Sequence, residues 1–196
     1  MFGDAAPFTW PWAGVFWLVV LAVQLAEWPA LSRLQELPSE YWPADVIHGG
    51  RLFRASVLLA LLLSWFGVLS PGGAFADAMF ATGIVLMVTA GFLRRHCMRL
   101  LGDCFTLDLR AEPDQPVIQS GAYAVLRHPS YLAGMTFFVG FGLASGSLAA
   151  SALLLAVSCF VYVRRINQEE RLLLDVLGER YRQYAAGRKR LLPFIF

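Results

Sequence analysis

In a chain of 196 residues with 58% hydrophobic and 15% charged positions and a mean hydropathy of +0.57, the composition is that of an integral membrane protein rather than a soluble domain. A formal net charge of +2, with the cations dispersed along the chain, excludes a nucleic-acid-binding stripe. Cys97, Cys104 and Cys159 show no C-x-x-C spacing, and Arg94, Arg95 and Arg99 crowd the only His/Cys/Asp group, so reduced thiols and no metal site are expected.

Residues 12–26 read as a first span, because no Lys or Arg precedes them to form the basic region of a cleaved signal, and Trp10, Trp12 and Trp28 bracket them as interface aromatics. Residues 29–54 are polar and broken by Pro and Gly, with a short surface helix expected over 30–37. Spans two (55–69) and three (75–93) make a hairpin about the PGG turn at 71–73, where Gly83 and Gly91 allow close helix approach. The basic segment 94–105 continues helix three into the interface, and 106–119 is a polar loop. Spans four (132–144) and five (148–163) form a second hairpin about the SGS turn at 145–147. Apolar residues at helical spacing over 168–185 predict an amphipathic helix interrupted at Gly178, and the apolar end 191–196 tucks into the interface.

The cations test this layout. Three lie in 29–54, five in 94–130 and eight from 164 onward, while the N-terminus and both tight turns hold none. The positive-inside rule then gives an all-α protein of the inner (cytoplasmic) membrane: five transmembrane helices, a first span and two hairpins, with the N-terminus outside and a cytoplasmic amphipathic C-terminal helix. Residues 1–93, the three N-terminal spans and their loop, and 94–196, the chemistry-bearing core, form one structural unit.

Two polar clusters interrupt the apolar pattern. Residues 117–131 read VIQSGAYAVLRHPSY, with Gly121, Tyr123, Arg127, His128, Pro129 and Tyr131 in positions that no lipid-facing helix would choose. Pro129 fixes its own φ, lacks an N–H that a first helical turn leaves unpaired, and pushes His128 toward extended backbone, so a helix starts there. Its unpaired N–H groups, with Arg127 beside them, offer a seat for an anionic ligand group. The plainer reading keeps Arg127 as a membrane-flanking cation and Pro129 as a helix starter. The second cluster, 162–171, reads YVRRINQEER and puts Glu169 one helical turn from Arg165. A tight hairpin joins the two segments, so both must reach the same membrane surface.

GAYAVLRHPSY, RINQEE and LGERYRQY, followed by Pro193, occur in an order and spacing that resembles the isoprenylcysteine carboxyl methyltransferase family and its relatives among phospholipid N-methyltransferases and small bacterial membrane methyltransferases. The resemblance covers residues 94–196. It implies S-adenosylmethionine as methyl donor, held at the cytoplasmic face by the last two membrane helices and their flanking loops, without a Rossmann domain. By position, it implies that Gln115, Pro116, Val117, Ile118, Tyr123, His128, Pro129, Ser130, Tyr131 and Glu170 surround the cofactor, with Gly121, Arg127 and Glu169 in the same clusters. Arg165 falls where the family orients the acceptor's carboxylate. Asp108 departs from the pattern, standing where the eukaryotic enzymes have an amide. The implied acceptor is a lipid or isoprenoid with an O-, N- or S-nucleophile.

Two other readings stand beside it. A sterol-reductase-like membrane enzyme would use NADPH, with Arg94, Arg95 and Arg188–Arg190 facing the 2′-phosphate. A non-enzymatic scaffold needs neither cluster to bind anything.

Overall fold

The computed structural model describes residues 11–35, 44–104 and 111–191. Trp10, the end of the expected surface helix at 36–37, Asp108, Pro193 and most of the apolar end lie outside them. Among the described residues six α-helices follow in order: α1 (Trp12–Gln35), α2 (Ala44–Trp65), α3 (Gly73–Leu101), α4 (Pro129–Ala144), α5 (Leu148–Leu177) and α6 (Glu179–Ala186). Among the described residues the only β pairing is an isolated parallel bridge between Leu126 and Lys189.

Helices run further than hydropathy suggests. The first span and the start of the expected surface helix are one continuous helix, α1, in which Pro29 removes a backbone donor without ending the run. α2 begins at Ala44, so Arg51 and Arg54 lie on a helix rather than in a loop. The fifth span and the front of the amphipathic segment are likewise one 30-residue helix, α5. It stops at Gly178, whose φ of +56° suits glycine and whose N–H caps the Leu174 carbonyl. Hydropathy falls where a helix leaves lipid, but backbone hydrogen bonding continues until a residue ends it.

α3 and α5 are long and apolar enough to cross a membrane, while α4 and residues 12–25 of α1 are shorter apolar segments. Phe66, Phe75, Phe92 and Phe160 face outward, exposed, as side chains against lipid would. The most extensive helix packing is α3 on α4, followed by α4 on α5, α2 on α5 and α1 on α3, so α2 and α3, expected to pair as a hairpin, are joined by a tight turn but pack on other helices. The core between them joins Phe16, Ala60, Phe80, Met87, Phe141, Ala144, Ala150 and Leu154.

Small residues set the helix spacing. A Cβ on Gly140 would stand 2.7 Å from the Gly83 carbonyl oxygen, and one on Gly83 would strike the Ala144 backbone, so α3 and α4 touch main chain to main chain. At the turn end, the Ser64 hydroxyl donates to Ser145 Oγ at 2.8 Å and the Ser147 hydroxyl donates to the Val68 carbonyl at 2.7 Å. These bonds tie the two hairpin ends together. Ser147 also accepts from the Ala150 N–H and so caps α5. The turn returns the chain at once, and α5 residues 162–170 therefore lie beside the start of α4.

Candidate functional site

α4 begins where Pro129 predicts. His128 is its N-cap residue, Pro129 is buried in the first turn, and no side chain caps the helix start. The strand-like segment before it is fixed by the tail: Leu126 bridges Lys189, the Arg127 N–H donates to the Lys189 carbonyl at 2.8 Å, and the His128 N–H donates to the Arg190 carbonyl at 3.0 Å.

Glu170 lies under this segment, 5% exposed, and both its oxygens are engaged. Arg127 Nη1 donates to Oε1 at 2.9 Å, His128 Nε2 is 3.2 Å from the same oxygen, and Arg190 Nη2 is 2.9 Å from Oε2. A buried carboxylate needs such partners to remain charged. Glu169, one residue earlier and turned to a wetter side with 31% side-chain exposure, accepts a hydrogen bond from the Tyr131 hydroxyl. That hydroxyl in turn accepts from Arg165 Nε at 2.9 Å. Arg165, Tyr131 and Glu169 thus form one chain of polar contacts between α4 and α5. Tyr131 stacks on His128 (centroids 5.5 Å, 10° between planes) and on Tyr162 (5.3 Å, 26°), and Tyr162 continues to Phe53 of α2 (5.5 Å). An aromatic row leads from the polar cluster into the apolar bundle.

A second, apolar half adjoins it. Leu177, Tyr181 and Tyr184 are buried together, with Val117, Leu173 and Val176 packed against them. The Tyr184 hydroxyl donates to the Tyr123 carbonyl at 3.1 Å, tying α6 to the turn before α4. Burial pushes the Tyr184 phenol up to about 12, so it stays a donor. The segment 113–119 is fastened over this cluster by two arginines. Arg180 donates to the carbonyls of Pro113 (3.0 Å) and Gln115 (2.9 Å), and Arg188 Nη2 donates to Gln119 Oε1 at 3.2 Å.

The candidate residues therefore divide. Arg127, His128, Tyr131, Arg165, Glu169 and Glu170 meet in one network. Val117 packs in the apolar half and Tyr123 joins it through its carbonyl, while Pro116 is exposed and Ile118 half-buried. Gln115 accepts from the Glu112 N–H through its side chain at 3.1 Å. Gly121 has φ +57°, and a Cβ there would lie 2.6 Å from Leu100 Cδ1 and 2.8 Å from His96 Nε2, so it seats the turn against the end of α3. Ser130 accepts from Arg94 Nη1 through both its hydroxyl (3.1 Å) and its carbonyl (3.2 Å), a second tie to α3. Among the described residues no group of His, Cys, Asp and Glu could hold a metal ion.

Sequence reasoning left Arg190, Tyr181 and Tyr184 out of the site, with the tyrosines only on the apolar face of an amphipathic helix and Arg190 only in the NADPH reading. The basic run at 188–190, set against a 2′-phosphate in the NADPH reading, instead turns two of its arginines inward, onto Tyr184 and Glu170. The one available signal was the second acid of the Glu169–Glu170 pair, for which Arg165, one turn from Glu169, supplies no separate partner.

Comparison with known proteins gives a consistent picture. The model of the Isoprenylcysteine carboxyl methyltransferase (ICMT) family matches residues 83–175. A protein-S-isoprenylcysteine O-methyltransferase of Schizosaccharomyces pombe is 24% identical over 190 residues, covering 87% of this chain and 79% of that protein. The Arabidopsis thaliana protein-S-isoprenylcysteine O-methyltransferase B is 27% identical, over 80% of this chain and 87% of that one. A methanethiol S-methyltransferase of a Pseudomonas species is 27% identical, over 94% of this chain and 75% of its own. The solved structure of the eukaryotic intramembrane Ras methyltransferase shares the fold with a TM-score of 0.63 at 18% identity; it is matched over 93% of this chain, which spans 66% of that chain.

Proposed function

We propose that the chain is a membrane methyltransferase of the isoprenylcysteine carboxyl methyltransferase family, which transfers a methyl group from S-adenosylmethionine to a lipophilic acceptor at the cytoplasmic face of the membrane. The observation that carries this reading is the meeting of the α4 start and the α5 exit in one polar network, next to a half made of aliphatic and aromatic side chains.

The residues present fit such a donor. An uncapped helix start with Arg127 beside it favours a carboxylate, the partly exposed Glu169 favours an ammonium, and the Val117, Tyr181 and Tyr184 cluster favours a flat base. Glu170, saturated by His128 and two arginines, holds the floor of the site, so Glu169 is the carboxylate that faces ligand. When bound, S-adenosylmethionine supplies an electrophilic methyl on a sulfonium. What the chain supplies is alignment and dryness. Arg165, held in place by Tyr131, orients an anionic acceptor. The aromatic row from Tyr131 through Tyr162 to Phe53 lines the apolar approach and keeps water out. An anionic nucleophile and a sulfonium lose charge as they react, so a dry site favours the reaction more than water does.

The acceptor is an isoprenylcysteine-type carboxylate or a related lipid nucleophile. A small thiol is the second reading, favoured by the methanethiol-methylating relative that matches 94% of this chain. Five spans with the N-terminus outside complete the proposal, on the strength of the cation distribution.

Purified protein incubated with methyl-labelled donor and either N-acetyl-S-farnesylcysteine or methanethiol tests it. Base-labile label on the prenylcysteine identifies a methyl ester, and base-stable volatile label identifies a thioether. Transfer to neither these nor extracted membrane lipids contradicts the reading.

A further inference from the structure

Tyr181 is only 4% exposed, and among the described residues its hydroxyl has no hydrogen-bond partner. Its neighbour one helical turn on behaves differently: the Tyr184 hydroxyl donates to the Tyr123 carbonyl and lies 3.4 Å from the Leu126 carbonyl, as a buried phenol usually does. A buried hydroxyl left dry costs stability, and phenylalanine would fill the same volume without that cost. The residue therefore calls for an account other than packing.

Its surroundings supply one. The ring lies among Leu177 and Tyr184, under Val117 from the segment 113–119. That segment is fastened by Arg180 and Arg188 through bonds at the exposed surface, which are individually weak and can open. Burial raises the Tyr181 phenol above its ordinary value and the carboxylates of Glu170 and Glu169 raise it further, with Arg127 opposing, so the group remains a neutral donor facing the polar network. Apolar walls on two sides with a single buried donor are the surroundings of a planar heteroaromatic ligand with ring-nitrogen or hydroxyl acceptors.

We propose that the Tyr181 hydroxyl is a ligand-binding group, which donates a hydrogen bond to the nucleoside half of the methyl donor beneath the 113–119 segment. Glu169 and the α4 start then hold the amino-acid half, at the other end of the same site. The inference rests on the S-adenosylmethionine reading above and deepens it by giving the two ends of the donor separate places.

Calorimetry on the detergent-purified full chain tests it with two probes. S-adenosylhomocysteine has both halves, whereas 5′-methylthioadenosine keeps the nucleoside and lacks the amino-acid end. Tyr181→Phe should leave the ligand-free melting temperature unchanged or raise it, and weaken both probes by the same factor, roughly three- to tenfold. Equal affinity of wild type and variant overturns the inference while leaving the donor reading intact. A lowered ligand-free melting temperature assigns the hydroxyl to packing and overturns it too. Loss confined to S-adenosylhomocysteine overturns the nucleoside assignment. Failure of the wild type to bind either probe overturns both the inference and the reading beneath it.

Discussion

Removing the Glu170 carboxylate takes a shared partner from Arg127, His128 and Arg190, because that one group contacts all three at the α4 start. Glu170→Ala is expected to destabilise the protein by roughly 2–3 kcal/mol, at the lower end for a broken buried pair because both arginines keep part of their hydration. Glu169→Gln breaks no buried ion pair, so its melting temperature should stay close to wild type while affinity for S-adenosylhomocysteine falls. Thermal melts and titrations of the two variants separate the roles; equal loss of stability in both contradicts them. Arg165→Lys keeps the charge but loses the planar guanidinium on Tyr131, and is expected to raise KM for an anionic acceptor more than it lowers kcat. At this scale the sequence was informative where one residue dictates its own backbone. Pro129 announced the helix start and His128 its cap. The pairing of Glu170 with Arg190 was hidden, since it depends on the tail crossing back to bridge Leu126, and no local pattern around residues 188–190 encodes that path.

Between elements, α3 and α4 meet through Gly83 and Gly140 with backbone in contact. In Gly83→Ala the new Cβ meets the Gly140 carbonyl oxygen at 2.6 Å, a main-chain atom that cannot swing aside. The helices must separate, at a cost of about 1–3 kcal/mol for overpacking, and the α4 start moves with them. A lower melting temperature together with weaker donor binding is expected, whereas Gly72→Ala, with open space at its Cβ, should change neither. Unchanged stability in Gly83→Ala contradicts the close packing. The α4–α5 hairpin and Gly83 were legible from hydropathy and composition, because apolar runs and small residues report directly on burial; the expected pairing of spans two and three was not borne out, since α2 packs on α5 and α3 on α4 and α1. The lengths of α1, α2 and α5 were not, because hydropathy marks where lipid ends and a helix ends only at a residue such as Gly178.

Across the whole molecule, the tight α4–α5 turn and the tail together bring residues that are up to 63 positions apart in sequence, Arg127 and Arg190, onto one carboxylate. In the orientation proposed from the cation distribution, that assembly lies on the cytoplasmic side. An impermeant maleimide applied to intact cells should label Gly72→Cys in the turn before α3 and spare Arg182→Cys in α6; the reverse pattern contradicts the orientation. Convergence of the polar clusters was readable from topology alone, since two antiparallel helices joined by three residues start from and return to the same surface. The division of that site into a polar half and an aromatic half was not, because α6 and the 113–119 segment meet only through tertiary contacts such as Arg180 with Gln115.

The central claim is that this assembly is one binding site for one methyl donor. Calorimetric titration of S-adenosylhomocysteine into the detergent-purified wild-type chain tests it most directly. The account predicts saturable binding at one site per chain, with no heat from NADPH. Saturable NADPH binding with none of S-adenosylhomocysteine contradicts it.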